Sequence, residues 1–172
     1  MADTTPLEIE LKDEAATHDL GLRLSALFAV GDLILLRGDL GAGKTTLARA
    51  AIQAHLEGHG LMEDVPSPTF TLVQTYESPD LLLTHVDLYR IEEEEELREL
   101  GLVEALDEGA VLVEWPERAE GEMARLSSDR LDIRLSLMPD GTRRAELTGT
   151  GSWAARLTEA FGPGPDRQAG SD

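Results

Sequence analysis

Between Leu33 and Glu57 the chain passes from an unbroken apolar stretch through a glycine-rich turn into a helical pattern, and nothing else in it constrains the fold as much. Gly38-Asp39-Leu40-Gly41-Ala42-Gly43-Lys44-Thr45 has the spacing glycine, four residues, glycine, lysine, Ser or Thr that builds a P-loop. The chemistry explains the residue types. Glycines let consecutive backbone N–H groups turn inward on a β-phosphate, and the helix beginning at Lys44 adds the positive end of its dipole. Lys44 can then bridge β- and γ-phosphates, the Thr45 hydroxyl is placed to ligate Mg²⁺, and Thr46 is within reach of the α-phosphate. The chain has only two lysines, Lys12 and Lys44. Its positive charge is otherwise arginine, so a lysine inside the glycine segment is informative.

The remaining pattern supplies a frame for such a loop. A strand is expected at residues 7–11, and a helix from the N-cap Asp13 to Phe28 with Leu20, Leu24 and Leu27 on its apolar side. The stretch 33–37 suits a strand buried on both faces, and the helix from Lys44 is closed by Gly58. Pro66 and Pro68 mark a loop; residues 70–76 and 81–86 then read as two strands around Ser78-Pro79-Asp80, a possible hairpin. Helices are expected over 92–100 and 103–107, a buried strand over 110–113, strands over 130–137 and 142–147 around Pro139-Asp140-Gly141, and a short last helix. Apolar strands interleaved with helices imply an α/β three-layer fold of the P-loop type, with a mainly parallel sheet and the last two strands as an antiparallel addition. Residues 1–161 are expected to form one ATPase domain, and 162–172, rich in Gly and Pro, a disordered tail.

Composition narrows the partners. A formal charge of −19, from 34 acidic and 15 basic residues, disfavours unaided binding to a nucleic-acid backbone, which needs clustered Lys and Arg. The absence of cysteine removes disulfides, thiolate metal sites and cysteine nucleophiles, and fits a reducing compartment. The N-terminal residues lack the basic and apolar regions of an export signal, and no apolar run approaches the roughly 20 residues of a membrane helix, so the expected location is the cytoplasm, away from membranes.

A P-loop requires a carboxylate at the end of a neighbouring strand to hold hydrated Mg²⁺, and a group that orients the attacking water. Asp87 follows the apolar stretch 81–86 and Glu114 follows Val111-Leu112-Val113; either could be the magnesium-side acid, and either could merely cap a helix or end a strand in solvent. Other features weigh less. His55 and His59 stand four residues apart, but Leu-Glu-Gly lies between them and Gly58 ends the helix, so they are not read as metal ligands. The acidic run 92–96 reads as a solvated helix start. His85 reads as a buried strand residue, and Trp115 either as core filling or as a cover for a nucleotide or partner.

Four blocks taken together, GDLGAGKTT at 38–46, SPTFT at 67–71, HVDLYR at 85–90 and VEWPE at 113–117, resemble the TsaE (YjeE-like) bacterial ATPases of tRNA threonylcarbamoyladenosine synthesis. The resemblance spans roughly residues 7–150. It implies a nucleotide-binding fold that uses ATP and Mg²⁺ and works with two actin-like-fold proteins, one of them the carbamoyl transferase that modifies adenosine 37 of tRNA. ATP hydrolysis would reset that complex, and tRNA would be touched mainly by the partners. Carried over by position, Gly41, Ala42, Gly43, Lys44, Thr45 and Thr46 bind phosphates, Lys44 acts in catalysis, and Thr45 and Glu114 flank Mg²⁺. Asp87 orients the water, and Thr69 and Thr71 lie in a switch-like segment. Arg143, with Arg144 beside it, and Glu14 fall near nucleotide-binding positions. A small-molecule kinase and a nucleotide-gated binding module are the competing readings. No arginine-rich lid segment supports the first, and the absence of an Asn-Lys-x-Asp motif argues against a GTPase.

Overall fold

The computed structural model describes residues 6–68 and 72–162. Thr69, Thr71 and the tail from residue 163 lie outside them. Seven strands, β1 (Leu7–Leu11), β2 (Leu33–Arg37), β3 (Val73–Glu77), β4 (Leu82–Asp87), β5 (Gly109–Glu114), β6 (Arg130–Leu137) and β7 (Arg143–Thr150), form one sheet in the order β1-β7-β6-β2-β5-β4-β3. β6, β2, β5 and β4 run parallel; β3, β7 and β1 extend that core through antiparallel pairings.

Alternation along the central strands explains the three layers, because successive side chains leave opposite faces of a sheet. Ile34, Leu36, Leu83 and Leu112 pack on one face with α1 (Glu14–Ser25), α2 (Lys44–Gly58) and α6 (Ser152–Phe161). Leu33, Leu35, Val86, Val111 and Val113 pack on the other with α3 (Glu94–Arg98), α4 (Leu102–Glu108) and α5 (Glu120–Leu126). Burying each such side chain stabilises by about 1.5–3 kcal/mol. α1 is capped as expected, the Asp13 carboxylate accepting from Ala16 N at 2.8 Å. It seats α2 closely: a Cβ on Gly21 would lie 2.7 Å from the Ala50 Cβ.

One expectation needs correction. The strand 130–137 is not part of an antiparallel addition; β6 pairs parallel with β2 from Leu33↔Arg130 to Arg37↔Arg134 and is antiparallel only to β7. Apolar alternation identifies a strand but carries no information about its neighbour. The expected hairpin forms between β3 and β4, Val73 opposite Val86; of the strand expected over 70–76, residues 70 and 71 lie outside the described residues and β3 begins at Val73. A 3₁₀ turn (Pro116–Ala119) and α5 follow β5 where the sequence pattern marks no element. Gly121 near the start of α5 weakens any helical signal there.

Candidate functional site

Parallel pairing brings the carboxyl ends of β2, β4 and β5 to one edge of the sheet, where ligands of open α/β folds bind. β2 ends at Arg37, and the chain turns at Gly38, whose φ of +142° excludes most side chains and where a Cβ would lie 2.5 Å from the Leu135 carbonyl oxygen. Gly43, at φ +108°, precedes the first turn of α2 and, having no side chain, offers that turn no cap. The leading N–H groups of α2 are therefore left to an anion.

Lys44 is only 5% exposed. Its ammonium donates to the Gly38 carbonyl and, at 3.3 Å, to the Asp39 carbonyl, and lies 3.5 Å from the centroid of the Trp115 ring. Burial pulls its pKa below 10.5, opposed by Glu114, Glu117, Asp87 and Asp39. Trp115 adopts a left-handed backbone (φ 60°), uncommon for a bulky residue, which turns the chain sharply out of β5. Its ring stands 5.0 Å from that of Tyr89.

The two carboxylates sit side by side, Asp87 pairing with Glu114 across β4 and β5. Both are buried, at 4% and 2% exposure. The Thr45 hydroxyl donates to Glu114 Oε1 at 2.6 Å, and His85 Nε2 lies 2.7 Å from Glu114 Oε2. With a carboxylate as its partner, Nε2 carries the hydrogen. His85 is fully buried and its Nδ1 has no partner among the described residues. Asp87 Oδ1 accepts from Tyr89 N at 2.9 Å.

These groups surround a cavity of about 330 Å³ lined by Leu40, Gly41, Gly43, Lys44, Thr45, Thr46, Asp87, Tyr89, Glu114, Trp115 and Arg143. Arg143 reaches it from the start of β7, its guanidinium donating to the Gly41 carbonyl at 3.2 Å, while Arg144 is exposed. Ala42 is buried within the loop. Glu14 does not line the cavity: it opens α1, its exposed carboxylate 3.9 Å from His18. The structure thus gathers Lys44, Thr45, Thr46, Asp87, Glu114, Trp115 and Arg143 at one place. Two lining or supporting groups went unread in the sequence, Tyr89 and His85 as a partner of Glu114. The i,i+2 spacing of His85 and Asp87 is the signal for the second, since it puts both on one face of β4.

The chain matches, over residues 11–145, the profile of the family described as Threonylcarbamoyl adenosine biosynthesis protein TsaE. It is 39% identical over 147 residues to the tRNA threonylcarbamoyladenosine biosynthesis protein TsaE of Nostoc sp., covering 82% of this chain and 85% of that protein. The Bacillus subtilis protein of the same description is 40% identical over 139 residues, covering 80% and 82%. The crystal structure of Bacillus subtilis YdiB superposes with a TM-score of 0.72 at 29% identity, over 92% of this chain and 95% of that one.

Proposed function

The chain belongs to the TsaE family, and on that premise we propose that residues 1–161 form an Mg²⁺-dependent ATPase whose hydrolysis of ATP resets a tRNA-modifying complex. A part in tRNA threonylcarbamoyladenosine biosynthesis follows from the family. The partners are two actin-like-fold proteins that carry the transferase chemistry and most of the tRNA contact, a division in keeping with a net charge of −19. The proposed setting is the cytoplasm. No helix among the described residues is long and apolar enough to cross a membrane.

The observation that carries the reading is the Thr45–Glu114 hydrogen bond beside a buried ammonium at the glycine turn. The residues fit a magnesium nucleotide. Gly43 keeps clear the space beside Arg143 that a side chain would narrow, and the Thr45 hydroxyl and Glu114 carboxylate are the hard oxygen donors that Mg²⁺ prefers. Thr45 and Glu114 would hold the ion, which would supply positive charge against the charge that develops on the phosphates. Lys44 exchanges the Gly38 and Asp39 carbonyls for phosphate oxygens, regaining interactions its burial denies it. His85 fixes the Glu114 carboxylate in orientation. Asp87 accepts a hydrogen bond from the attacking water. Water oxygen bonds to the γ-phosphorus, the bond to the bridging oxygen breaks, ADP leaves, and the proton ends on the released phosphate. Arg143, Trp115 and Tyr89 wall the nucleotide, with the switch-like segment of Thr69 and Thr71 as the γ-phosphate sensor.

The test is phosphate release from ATP and Mg²⁺ by the chain mixed with the actin-like pair. Turnover is expected to be low for the chain alone and to rise with all components, with label appearing in phosphate and in no other acceptor. Label in a small-molecule acceptor would make the chain a kinase, and full turnover by Asp87→Ala would show that another group orients the water.

A further inference from the structure

At the end of α2 remote from the glycine turn, the helix meets the connection between β3 and β4, and three ligand-type side chains converge there. His59 Nε2 lies 2.9 Å and His55 Nε2 3.5 Å from the same oxygen, Asp80 Oδ1. The ligand atoms of the three residues all lie within 4.8 Å of one another, and the two imidazole rings are 5.0 Å apart. Sequence spacing discouraged a metal reading because Gly58 interrupts the pair. In the fold α2 continues through Gly58, His59 caps it, and both rings face the turn that supplies the third group.

We propose that His55, His59 and Asp80 form a second metal site, separate from the nucleotide cavity, for a borderline first-row divalent cation of the Zn²⁺ class, with water in the fourth position. Two imidazoles and one carboxylate are the ligand set such ions take, whereas Mg²⁺ prefers oxygen. Tetrahedral bonds of roughly 2.0–2.1 Å put neighbouring ligand atoms about 3.4 Å apart, and the two measured nitrogen–oxygen separations bracket that value. The groups behind the ligands are built as well: Ser78 Oγ, its single hydrogen shared between the Leu81 carbonyl at 2.6 Å and Asp80 Oδ1 at 3.0 Å, lies against the carboxylate. Ser78 Oγ also contacts His55 Nε2 at 2.8 Å, yet it keeps the Leu81 backbone as a partner when the imidazole turns to a metal. A bound ion would staple the P-loop helix to the strand carrying His85 and Asp87, at the far end of both elements.

The experiment uses the full chain without a polyhistidine tag, stripped with chelator and titrated with Co²⁺ and then Zn²⁺. A visible d–d absorption of four-coordinate Co²⁺ that saturates at one equivalent, is displaced by Zn²⁺ and is accompanied by a rise in Tm is the expected result. His59→Ala and Asp80→Asn, both on exposed groups, should each weaken Zn²⁺ binding by more than about 100-fold, beyond the 10–100-fold typical of losing a group that only orients a ligand, while metal-free melting stays as in the parent. Glu114→Gln should leave the absorption intact. No absorption in the parent protein, or absorption that survives His59→Ala but vanishes in Glu114→Gln, overturns the proposal.

Discussion

Asp32, at the entrance to β2, and Glu114, at the exit of β5, are buried carboxylates at opposite edges of the same sheet, with 1% and 2% exposure, yet they are held in opposite ways. Asp32 is closed on itself: Arg156 donates to its two oxygens at 2.7 and 2.8 Å and Ala29 N donates at 2.7 Å. The guanidinium is further tied to the Leu27 carbonyl and Ser152 hydroxyl and lies 4.3 Å from the Trp153 ring. Glu114 is held instead by a hydroxyl and an imidazole, while the nearby ammonium of Lys44 rests on backbone carbonyls and an indole. A bidentate ion pair is a finished interaction. A carboxylate held by a hydroxyl and an imidazole beside a desolvated cation is poised for a ligand that will rearrange the partners.

Breaking the finished pair should have the largest effect on stability. Arg156→Ala leaves a buried carboxylate with one backbone donor and is expected to lose about 3–5 kcal/mol, read from urea unfolding, while nucleotide affinity under native conditions is unchanged. An equal loss of nucleotide affinity would mean that the two edges of the sheet are not separate. The next effect has the opposite signature. Lys44→Ala should lower ATP turnover in the reconstituted complex by about 100-fold or more and leave the unfolding midpoint unchanged or higher, because a cation desolvated against its preference is removed. A large fall in stability would show that the Trp115 stack and the two carbonyls already satisfy the ammonium.

The difference between the two carboxylates also marks where the sequence could be read and where it could not. The loop, its flanking strand and its helix follow local rules, so β2 ends at Arg37 and α2 starts at Lys44 as the glycine spacing requires. Asp87 and Glu114 were visible as strand-end acids because an apolar run precedes each. What they touch was not visible: the bonds from Thr45 and His85 to Glu114 span 69 and 29 residues and depend on strand order. Asp32–Arg156, 124 residues apart, carries no local signal at all. Strand order, invisible locally, also makes β6 a parallel neighbour of β2, while the alternation of side chains along β7 brings Arg143 rather than Arg144 over Gly41. Glu14, carried over by position alone, stays outside the cavity wall.

A smaller effect sharpens the claim that Glu114 is held for use. His85→Gln removes the imidazole whose Nε2 lies 2.7 Å from Glu114 Oε2 and leaves the carboxylate charge in place. The Mg²⁺ concentration for half-maximal turnover is expected to rise about 10-fold, the usual result of losing a group that orients a metal ligand, with the nucleotide still bound. A fall in stability with no change in the Mg²⁺ requirement would reduce His85 to packing.

A third set of charges, with its carboxylates toward solvent, calibrates the two buried ones. Arg37, the last residue before the glycine turn, donates to both oxygens of Asp132 at 2.9 Å and to Glu120 Oε2 at 2.7 Å, and the Glu120 side chain is 55% exposed. The hydrogen bond from Arg37 holds the Glu120 carboxyl below its ordinary 4.5, with burial opposing. Because the folded value is the lower one, the stability it contributes is complete above pH 4.5 and is lost as pH falls through the folded value. Solvent screening at the exposed Glu120 carboxylate keeps its share to about 0–1 kcal/mol. Glu120→Gln is therefore expected to lower stability by no more than about 1 kcal/mol at pH 7, with the gap to the parent closing as both are acidified below pH 4.5, and shrinking in high salt, in urea midpoints measured across that range. A gap that persists in acid would locate the loss in the packing of the Glu120 side chain against Arg37, and charge at the base of the turn would then matter less than shape.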